Sequence, residues 1–415
     1  MKASDAAQCY RAIPIAARVG LRETAPVRIP RCALLLALTG LCLRGAVATE
    51  PGVVTSDAAP AFAAKLQAAT TRHLDELLAE PAKLTALKGK SAAGMTALAF
   101  ELAFEATRKT EYHGAALKIA DAILADLRAT KFGVLYIKEK TRSTGEDISG
   151  GGPPAFGWYT SALAYIYRRE PNRDDALRYL AGIIDRYPWN EQGWWAATID
   201  VRTGEPKQPL SKPSPINKNA AMVSAAGITA VSMRRLEPEL AARLAAKAAR
   251  CIEQQLVPAQ EADGFWHYGL TGNDPKEKDV WGYFMLTICE LIQWREMGAP
   301  PEDTSLRRAL EKAGVFAHTV IVPATDPNKG QSTNRRRTAG TPAHYTVAED
   351  PRRGFQLALS LIGTGHVAEG LAVGEEALRH FPFGDRGQDA GQAVHACALM
   401  GRLLRAPSGS NADER

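Results

Sequence analysis

Apolar and polar residues recur from residue 58 onward with the spacing of an α-helix, and Gly, Pro and Asn interrupt that spacing at intervals. One kind of helical segment has a single apolar stripe. In segment 237–257, Leu240 and Leu244 lie on that stripe, whereas Arg243 and Lys247 lie on another side. Such an amphipathic helix buries one face and exposes the other to water.

A second kind of helical segment has hardly any polar face. Segment 218–235 carries Met222, Val223, Ile228 and Val231 around most of its circumference, which indicates a helix enclosed on most sides. The two kinds of segment alternate along the chain. The pattern predicts about twelve helices, at 58–80, 91–108, 111–128, 154–169, 172–187, 218–235, 237–257, 279–297, 303–320, 351–364, 366–381 and 387–405.

The connections between these segments also alternate in length. Those that follow an enclosed segment are short, as at Lys109-Thr110, whereas most of those that precede one are long, at 129–153, 188–217, 258–278 and 321–350. Short connections join antiparallel helices, so the chain is predicted to form αα-hairpins. We predict an all-α protein, an (α/α)6 toroid of six hairpins in which enclosed helices form a ring inside amphipathic ones. An open α-solenoid is the alternative, but it does not require inner helices that are apolar all round.

The long connections all precede enclosed helices, so a closed ring would gather them at one end. The N-termini of the inner helices would converge there with their free N–H groups and partial positive charge. We therefore expect a cleft for an anionic or hydroxyl-rich ligand at that end.

The first residues predict an export signal with an extended basic region. Arg22, Arg28 and Arg31 precede an apolar run at 32–43, and the Ala-Val-Ala sequence at 46–48 supplies the small residues of a cleavage site. The apolar run is about twelve residues long, too short for a membrane span of about twenty.

These features predict a signal peptide over 1–48, a mature start near Thr49, one toroid domain over 49–405 and a disordered tail over 406–415. The mature protein would be secreted or periplasmic, without stable membrane insertion. An uncleaved anchor is the alternative.

The composition excludes several classes of protein. With 46% hydrophobic and 23% charged residues, the 415-residue chain is typical of a globular protein. A net charge of +6 without a broad basic face argues against nucleic-acid binding. The sequence contains no His-Glu-x-x-His and no Cys-x-x-Cys, so it predicts no metal site and no cofactor. The cysteines left after signal cleavage, Cys251, Cys289 and Cys397, lie among apolar residues and are expected to be buried free thiols.

Tryptophan is unevenly distributed along the chain. Six of the seven fall in or just after the long connections, namely Trp158, Trp189, Trp194, Trp195, Trp266 and Trp281. A tryptophan ring offers a flat apolar face and one N–H donor, which suits stacking on a sugar. We expect a carbohydrate cleft whose aromatic subsites are Trp158, Tyr159, Trp194, Trp195, Trp266, Trp281 and Tyr283. Packing of these loops against the core is the alternative.

Two segments carry a resemblance to known proteins: one is 215–222 (PINKNAAM), and the other is 263–283, which begins with DGFWHYG and ends with KDVWGY. With them, the chain resembles the six-hairpin toroid families of carbohydrate-active proteins, which are helical polysaccharide lyases, uronate-processing hydrolases and related epimerase domains. The likeness of architecture covers about residues 58–405, and the motifs cover some thirty residues. In those families a Gly-aromatic-Trp-x-Tyr loop and the following acidic-aromatic helix start often line the sugar site.

The resemblance and the side-chain chemistry together suggest catalytic roles. His267 and Tyr268 suit proton transfer, with Asn219 as a further catalytic group. Asp279 is expected to cap segment 279–297 and is also a catalytic candidate. The charge of a uronate would be neutralised by Asn217, Asn219 and Arg353. Alternatively, the loop containing His267 only plugs the mouth of the toroid and Asp279 only caps the helix.

We therefore predict a secreted protein that processes a polysaccharide or oligosaccharide, with a lyase that cleaves a uronate-containing glycan by β-elimination as the first hypothesis. A glycoside hydrolase on the same toroid would need two facing carboxylates. Its candidates are Glu146, Asp147, Asp200, Asp263, Asp279, Glu349, Asp350, Asp385 and Asp389. A non-catalytic glycan-binding toroid is the third possibility.

Overall fold

The computed structural model describes most of the chain after residue 57. The described residues are 58–80, 82, 84, 91–133, 137–140, 147–151, 153–200, 203–211, 214–267, 281–298, 304–321, 347, 350–381 and 388–405. The predicted signal peptide and C-terminal tail lie outside them, as do Tyr268 and Asp279.

Twelve α-helices account for most of the described residues, and we number them in chain order. They are α1 (Ala58–Ala79), α2 (Ser91–Thr107), α3 (Thr110–Arg128), α4 (Pro153–Tyr167), α5 (Asp174–Arg186), α6 (Ile216–Met233), α7 (Pro238–Cys251), α8 (Trp281–Met297), α9 (Thr304–Phe316), α10 (Pro351–Gly363), α11 (Val367–His380) and α12 (Gln388–Leu404). These bounds lie close to the helices that the apolar pattern predicts. A 3-10 turn (Pro171–Arg173) precedes α5, and π-helical turns (Ile252–Leu256 and Ala317–Ile321) follow α7 and α9.

The six even-numbered helices form a closed ring. Each packs against the next in the order α2, α4, α6, α8, α10 and α12, and α12 packs against α2. Closure confirms the (α/α)6 toroid and is inconsistent with an open solenoid. The odd-numbered helices form the outer layer, in which α1 completes the last hairpin by packing against α12 and α11.

The inner helices are parallel, and their N-termini meet at one end of the ring. Gly94 in the first turn of α2 lies against the start of α4, where a Cβ would be 2.7 Å from the carbonyl oxygen of Trp158. Gly157 of α4 lies in the same way against α6, with 2.6 Å between its ideal Cβ and the carbonyl oxygen of Ala221. Only glycine permits such close backbone contact.

A small sheet lies in the connections that the sequence predicts to be irregular. Strand β1 (Ile137–Lys140) pairs antiparallel with β2 (Asp147–Gly151), with Ile137 opposite Gly150, and β3 (Ile199–Asp200) pairs with the end of β2. These short strands contain Lys, Glu and Gly and have no regular apolar alternation, so they give no strand signal.

The three predicted free thiols are confirmed, because Cys251, Cys289 and Cys397 are all buried and unbridged. Among the described residues, no helix is both long enough and apolar enough to span a bilayer.

Candidate functional site

A hydrogen bond crosses the interior of the ring between α4 and α8. Trp158 Nε1 donates to Glu290 Oε1 at 2.5 Å. Both helices pack against α6, which separates them around the ring. The bond therefore spans the lumen and joins non-neighbouring inner helices.

An apolar layer surrounds this bond. Met95 of α2, Trp158 of α4 and Leu286 of α8 form a cluster separate from the main hydrophobic core. Helix α8 lies across the ring from α2, and α4 is next to α2, so the cluster lies in the lumen near the N-termini of the inner helices. Glu290 lies one helical turn after Leu286 and is only 4% exposed.

Burial alters the acidity of Glu290. Loss of hydration raises its carboxyl pKa from 4.5 to about 7, although the hydrogen bond from Trp158 and, more weakly, the neighbouring Ser224 hydroxyl act in the opposite direction. No described residue forms a hydrogen bond with the second carboxyl oxygen of Glu290, Oε2. A carboxyl group in this state can donate or accept a proton near neutral pH.

One turn further along α8, an amide links three inner helices. Gln293 Nε2 donates to Ser224 Oγ of α6 at 2.9 Å and lies 3.4 Å from Ser161 Oγ of α4. These contacts hold the polar side of α8 toward the lumen, and they fix the position of Glu290 one turn before Gln293.

A second polar chain joins the N-terminal parts of α8, α10 and α12. Arg353 Nη1 donates to the carbonyl oxygen of Gly282 at 3.2 Å and to Gln356 Oε1 at 2.7 Å. Gln356 Nε2 in turn donates to Gln392 Oε1 at 3.2 Å. This chain places a guanidinium group at the N-terminal end of the ring.

His395 also faces the lumen. It lies two helical turns before Arg402 on α12, and the Arg402 guanidinium reaches across the ring to Tyr165 Oη at 2.8 Å and to the carbonyl oxygen of Glu296 at 3.4 Å. Burial lowers the pKa of His395 from 6.5 to about 4, so its imidazole is neutral near pH 7. Its Nε2 makes no hydrogen bond to any described residue.

A cluster of charges occupies the lumen at the C-terminal ends of the inner helices. Glu105 pairs with Arg402 at 2.6 Å, with Arg168 at 2.9 Å and with Arg169 at 2.8 Å. Burial raises the pKa of the Glu105 carboxyl, but the three guanidinium groups outweigh burial and hold it below its ordinary value. Ion pairs therefore link α2, α12 and the segment after α4 at this end of the ring.

Three of the predicted aromatic subsites make packing contacts within the protein, and their role as subsites stays a prediction. Trp195 is fully buried and lies edge-on to Trp189, with ring centroids 4.4 Å apart. Trp194 donates from Nε1 to the carbonyl oxygen of Leu210 at 3.0 Å, and Trp266 donates to that of Leu256 at 2.7 Å. In these three cases the structure supports the alternative of loop–core packing, because the rings satisfy their N–H groups or bury their faces locally.

Tyr159 and Asn219 also have structural roles. Tyr159 is 2% exposed, and its pKa is raised by burial and by Asp126 of the outer helix α3, so it faces the outer layer. Asn219 accepts from the backbone N–H of Trp195 at 3.1 Å and donates to Ser214 Oγ at 2.6 Å. The side chain of Asn219 therefore holds the preceding loop, and its catalytic role stays a prediction.

The other predicted site residues lie at the N-terminal end of the ring or outside the described residues. His267 contacts Glu261 through a short hydrogen bond from its Nε2 and lies edge-on to Phe265. Tyr283 is 36% exposed in the first turn of α8, and Asn217 is 6% exposed in the first turn of α6. Tyr268, Asp279 and the side chain of Trp281 lie outside the described residues.

Glu290 and His395 were not predicted as site residues from the sequence. A usable signal existed for Glu290, because it is an acidic residue in the apolar stretch Phe284–Trp294 of an enclosed helix. Buried carboxyl groups of this kind have perturbed acidity and often mark functional sites. The weaker signal for His395 is one imidazole among the small apolar residues of α12.

Comparisons with known proteins define the fold class. No protein-family model matches the chain, and no curated protein matches it. Among solved structures, a polysaccharide lyase matches at 12% identity with a TM-score of 0.50, covering 82% of this chain and 97% of that one. A family 88 glycosyl hydrolase from Bacteroides vulgatus matches at 11% identity with a TM-score of 0.51, covering 82% and 99%.

A cellobiose 2-epimerase from Bacillus thermoamylovorans B4167 matches at 11% identity with a TM-score of 0.54, covering 75% of this chain and 88% of that one. The chain therefore has the (α/α)6 toroid fold that these carbohydrate-active proteins share. Identity of this order establishes the fold, whereas function depends on the site.

Proposed function

We propose that the protein is an enzyme that processes a saccharide in the lumen at the N-terminal end of the ring, with Glu290 as its acid–base group. One observation carries the proposal: Glu290, whose pKa is about 7, is bonded across the lumen to Trp158. A carboxyl group that is half protonated near neutrality suits general acid–base catalysis. The indole beside it offers an apolar face to a sugar ring.

Within this class, the proposed reaction is β-elimination in a uronate-containing polysaccharide or oligosaccharide. That reaction removes the proton next to the uronate carboxylate and breaks the bond from the sugar to the leaving oxygen. Arg353 supports this choice, since its guanidinium lies beside the converging N-termini of α8 and α10 and suits a carboxylate. Glu290 would protonate the leaving oxygen, and His267 and Tyr268 stay the predicted groups for removal of the carbon-bound proton.

Hydrolysis is the second candidate, and the raised pKa of Glu290 favours it specifically. A glycosidase needs a protonated carboxylic acid to protonate the leaving oxygen. It also needs a second carboxylate, for which Asp279 and Asp389 stay sequence-based candidates near the starts of α8 and α12.

The test uses purified protein with a panel of uronate-containing and neutral glycans. Ultraviolet absorbance of unsaturated uronate and new reducing ends are followed together. Both signals should rise with a uronate-containing glycan, and Glu290→Gln should lose at least about 100-fold in kcat, since general acid–base catalysis is typically worth about 100- to 10,000-fold. Reducing ends without absorbance would replace the lyase with the hydrolase. A wild-type rate in Glu290→Gln would remove Glu290 from the chemistry.

Saccharide processing outside the cytoplasm fits the export signal predicted over residues 1–48. We propose that the toroid domain over 49–405 is released after Ala48 and is secreted or periplasmic. Intact-mass analysis of the protein recovered from periplasmic and secreted fractions tests this cleavage. Recovery of only the uncleaved chain in the membrane fraction would support the anchor instead.

A further inference from the structure

Two imidazoles and one carboxylate converge on the outer layer of the toroid, away from the lumen. His318 belongs to the π-helical turn Ala317–Ile321 after α9, Glu369 to the first turn of α11, and His366 directly precedes α11. One potential ligand atom from each residue lies within 4.8 Å of the other two. We propose that His318, His366 and Glu369 bind a Zn²⁺ ion that fastens α9 to α11.

The donor set and its spacing suit zinc. Zn²⁺ prefers four ligands in a tetrahedron and binds imidazole nitrogen and carboxylate oxygen at about 2.0–2.2 Å. Two such ligands on one ion are separated by roughly 3.4 Å in tetrahedral geometry. His318 Nδ1 lies 3.6 Å from Glu369 Oε1, so a small side-chain adjustment would bring both onto one ion. Water would complete the coordination.

The local structure directs these side chains toward one another. His366 and Glu369 are three residues apart at the start of α11, so they lie on the same face of that helix. The His366 side chain makes no capping hydrogen bond with the helix. The imidazole rings of His318 and His366 are nearly parallel, with centroids 5.0 Å apart and an interplanar angle of 12°.

Gly314, one turn before His318, allows this approach. A Cβ at Gly314 would lie 2.3 Å from Thr364 Oγ1 and 3.0 Å from His366 Cδ2. The absence of a side chain therefore lets α9 pack directly on the turn between α10 and α11. That contact brings His318 next to a histidine far from it in sequence.

The cluster has an unmet polar group and is open to solvent. His318 Nδ1 is buried, and no described residue forms a hydrogen bond with it. A metal ion would satisfy this nitrogen, which is otherwise costly to bury. The side chains of His318 and Glu369 are 38% and 32% exposed, so an ion can reach them.

The experiment titrates Zn²⁺ into untagged, chelator-treated, full-length protein by calorimetry, and Co²⁺ by visible absorbance. Wild type should bind one equivalent of Zn²⁺ and give the visible bands of tetrahedral Co²⁺. His318→Ala and Glu369→Gln should each weaken Zn²⁺ binding at least about 100-fold, because loss of an outer partner alone typically costs about 10- to 100-fold.

The matched control is His380→Ala, which removes a histidine of the same helix α11 that pairs with Glu376 at 2.9 Å. This variant should bind Zn²⁺ like wild type. Zinc should also raise the unfolding temperature of wild type and His380→Ala, but not that of His318→Ala or Glu369→Gln. The proposal is overturned if wild type binds no zinc, or if the His318 and Glu369 variants keep wild-type affinity.

Discussion

Trp158 and Glu290 connect non-neighbouring inner helices through one hydrogen bond of 2.5 Å across the lumen. The donor lies in a cluster of apolar side chains, and the acceptor is a carboxyl group that burial keeps largely protonated below pH 7. A carboxyl group held this way contributes to stability only while it keeps its proton. The chemistry of the site and the stability of the ring are therefore linked through Glu290.

Glu290→Gln should remove a pH-dependent part of the free energy of unfolding. The folded pKa is raised from 4.5 to about 7, so stability from this group is complete below pH 4.5 and is lost as the pH rises to 7. The difference corresponds to about 3 kcal/mol. The free energy of unfolding of the variant, measured in urea relative to wild type, should therefore increase from pH 4 to pH 8. If the variant and wild type differ in free energy of unfolding by the same amount at both pH values, the pKa of Glu290 is not raised in the folded protein.

His395→Gln should show the opposite dependence. Its folded pKa is lowered from 6.5 to about 4, so stability from the neutral imidazole is complete above pH 6.5 and is lost as the pH falls toward 4. As the pH falls from 7 to 4, the free energy of unfolding of the variant should therefore increase by up to about 3 kcal/mol relative to wild type. Urea unfolding across that range measures the effect, and Glu290→Gln serves as the control with the reverse slope. If the two variants behave alike, their differences do not arise from these two groups.

The fold follows from the sequence because its cause is periodic. Enclosed helices such as α6 must be apolar all round, and the outer helices must be amphipathic, so alternation of the two kinds reveals the ring. The site is harder to predict because a tryptophan after a long loop can face the lumen or the core. Trp158 directly follows one long connection and Trp195 lies in another, yet of the two only Trp158 points into the lumen. Contacts between distant helices decide the outcome, and no local pattern records them.

Trp266→Phe should lower stability without weakening saccharide binding. Trp266 is 1% exposed and donates to the carbonyl oxygen of Leu256 at 2.7 Å, so the change removes a buried hydrogen bond and leaves that acceptor unpaired. A loss of about 1–3 kcal/mol is expected in urea unfolding. Trp158→Phe is the comparison variant, and it should reduce saccharide processing. Weaker saccharide binding in Trp266→Phe at unchanged stability would support its predicted role as a subsite.

Gly227→Ala should destabilise the ring, whereas Gly114→Ala should stabilise it. A Cβ at Gly227 of α6 would lie 1.8 Å from Trp294 Nε1 of α8, so the Trp294 ring or the two inner helices would have to shift. Overpacking of this kind costs about 1–3 kcal/mol or more. Gly114 in the outer helix α3 has nothing within 4 Å of its ideal Cβ, and alanine there should add about 0.5–1 kcal/mol through helix propensity. Chemical unfolding of both variants tests the parallel packing of α6 on α8.

His267→Gln should slow β-elimination if the loop after α7 supplies the base. The imidazole is held by Glu261, an arrangement that orients a histidine for proton transfer. Loss of a general base typically costs about 100- to 10,000-fold in rate, and Tyr268→Phe should show whether the neighbouring hydroxyl shares that role. The measurement is kcat/KM from unsaturated uronate absorbance, together with unfolding temperature to separate catalysis from folding.

The matched control for this assignment is His380→Gln, since His380 also pairs with a carboxylate, Glu376, but lies exposed on outer helix α11. It should keep the wild-type rate. Glu261→Gln adds a second test, because it removes the carboxylate that holds the imidazole and should therefore also lower kcat/KM. A wild-type rate in His267→Gln would place proton removal elsewhere, and the neutral lumen-facing His395 would be the next residue to test.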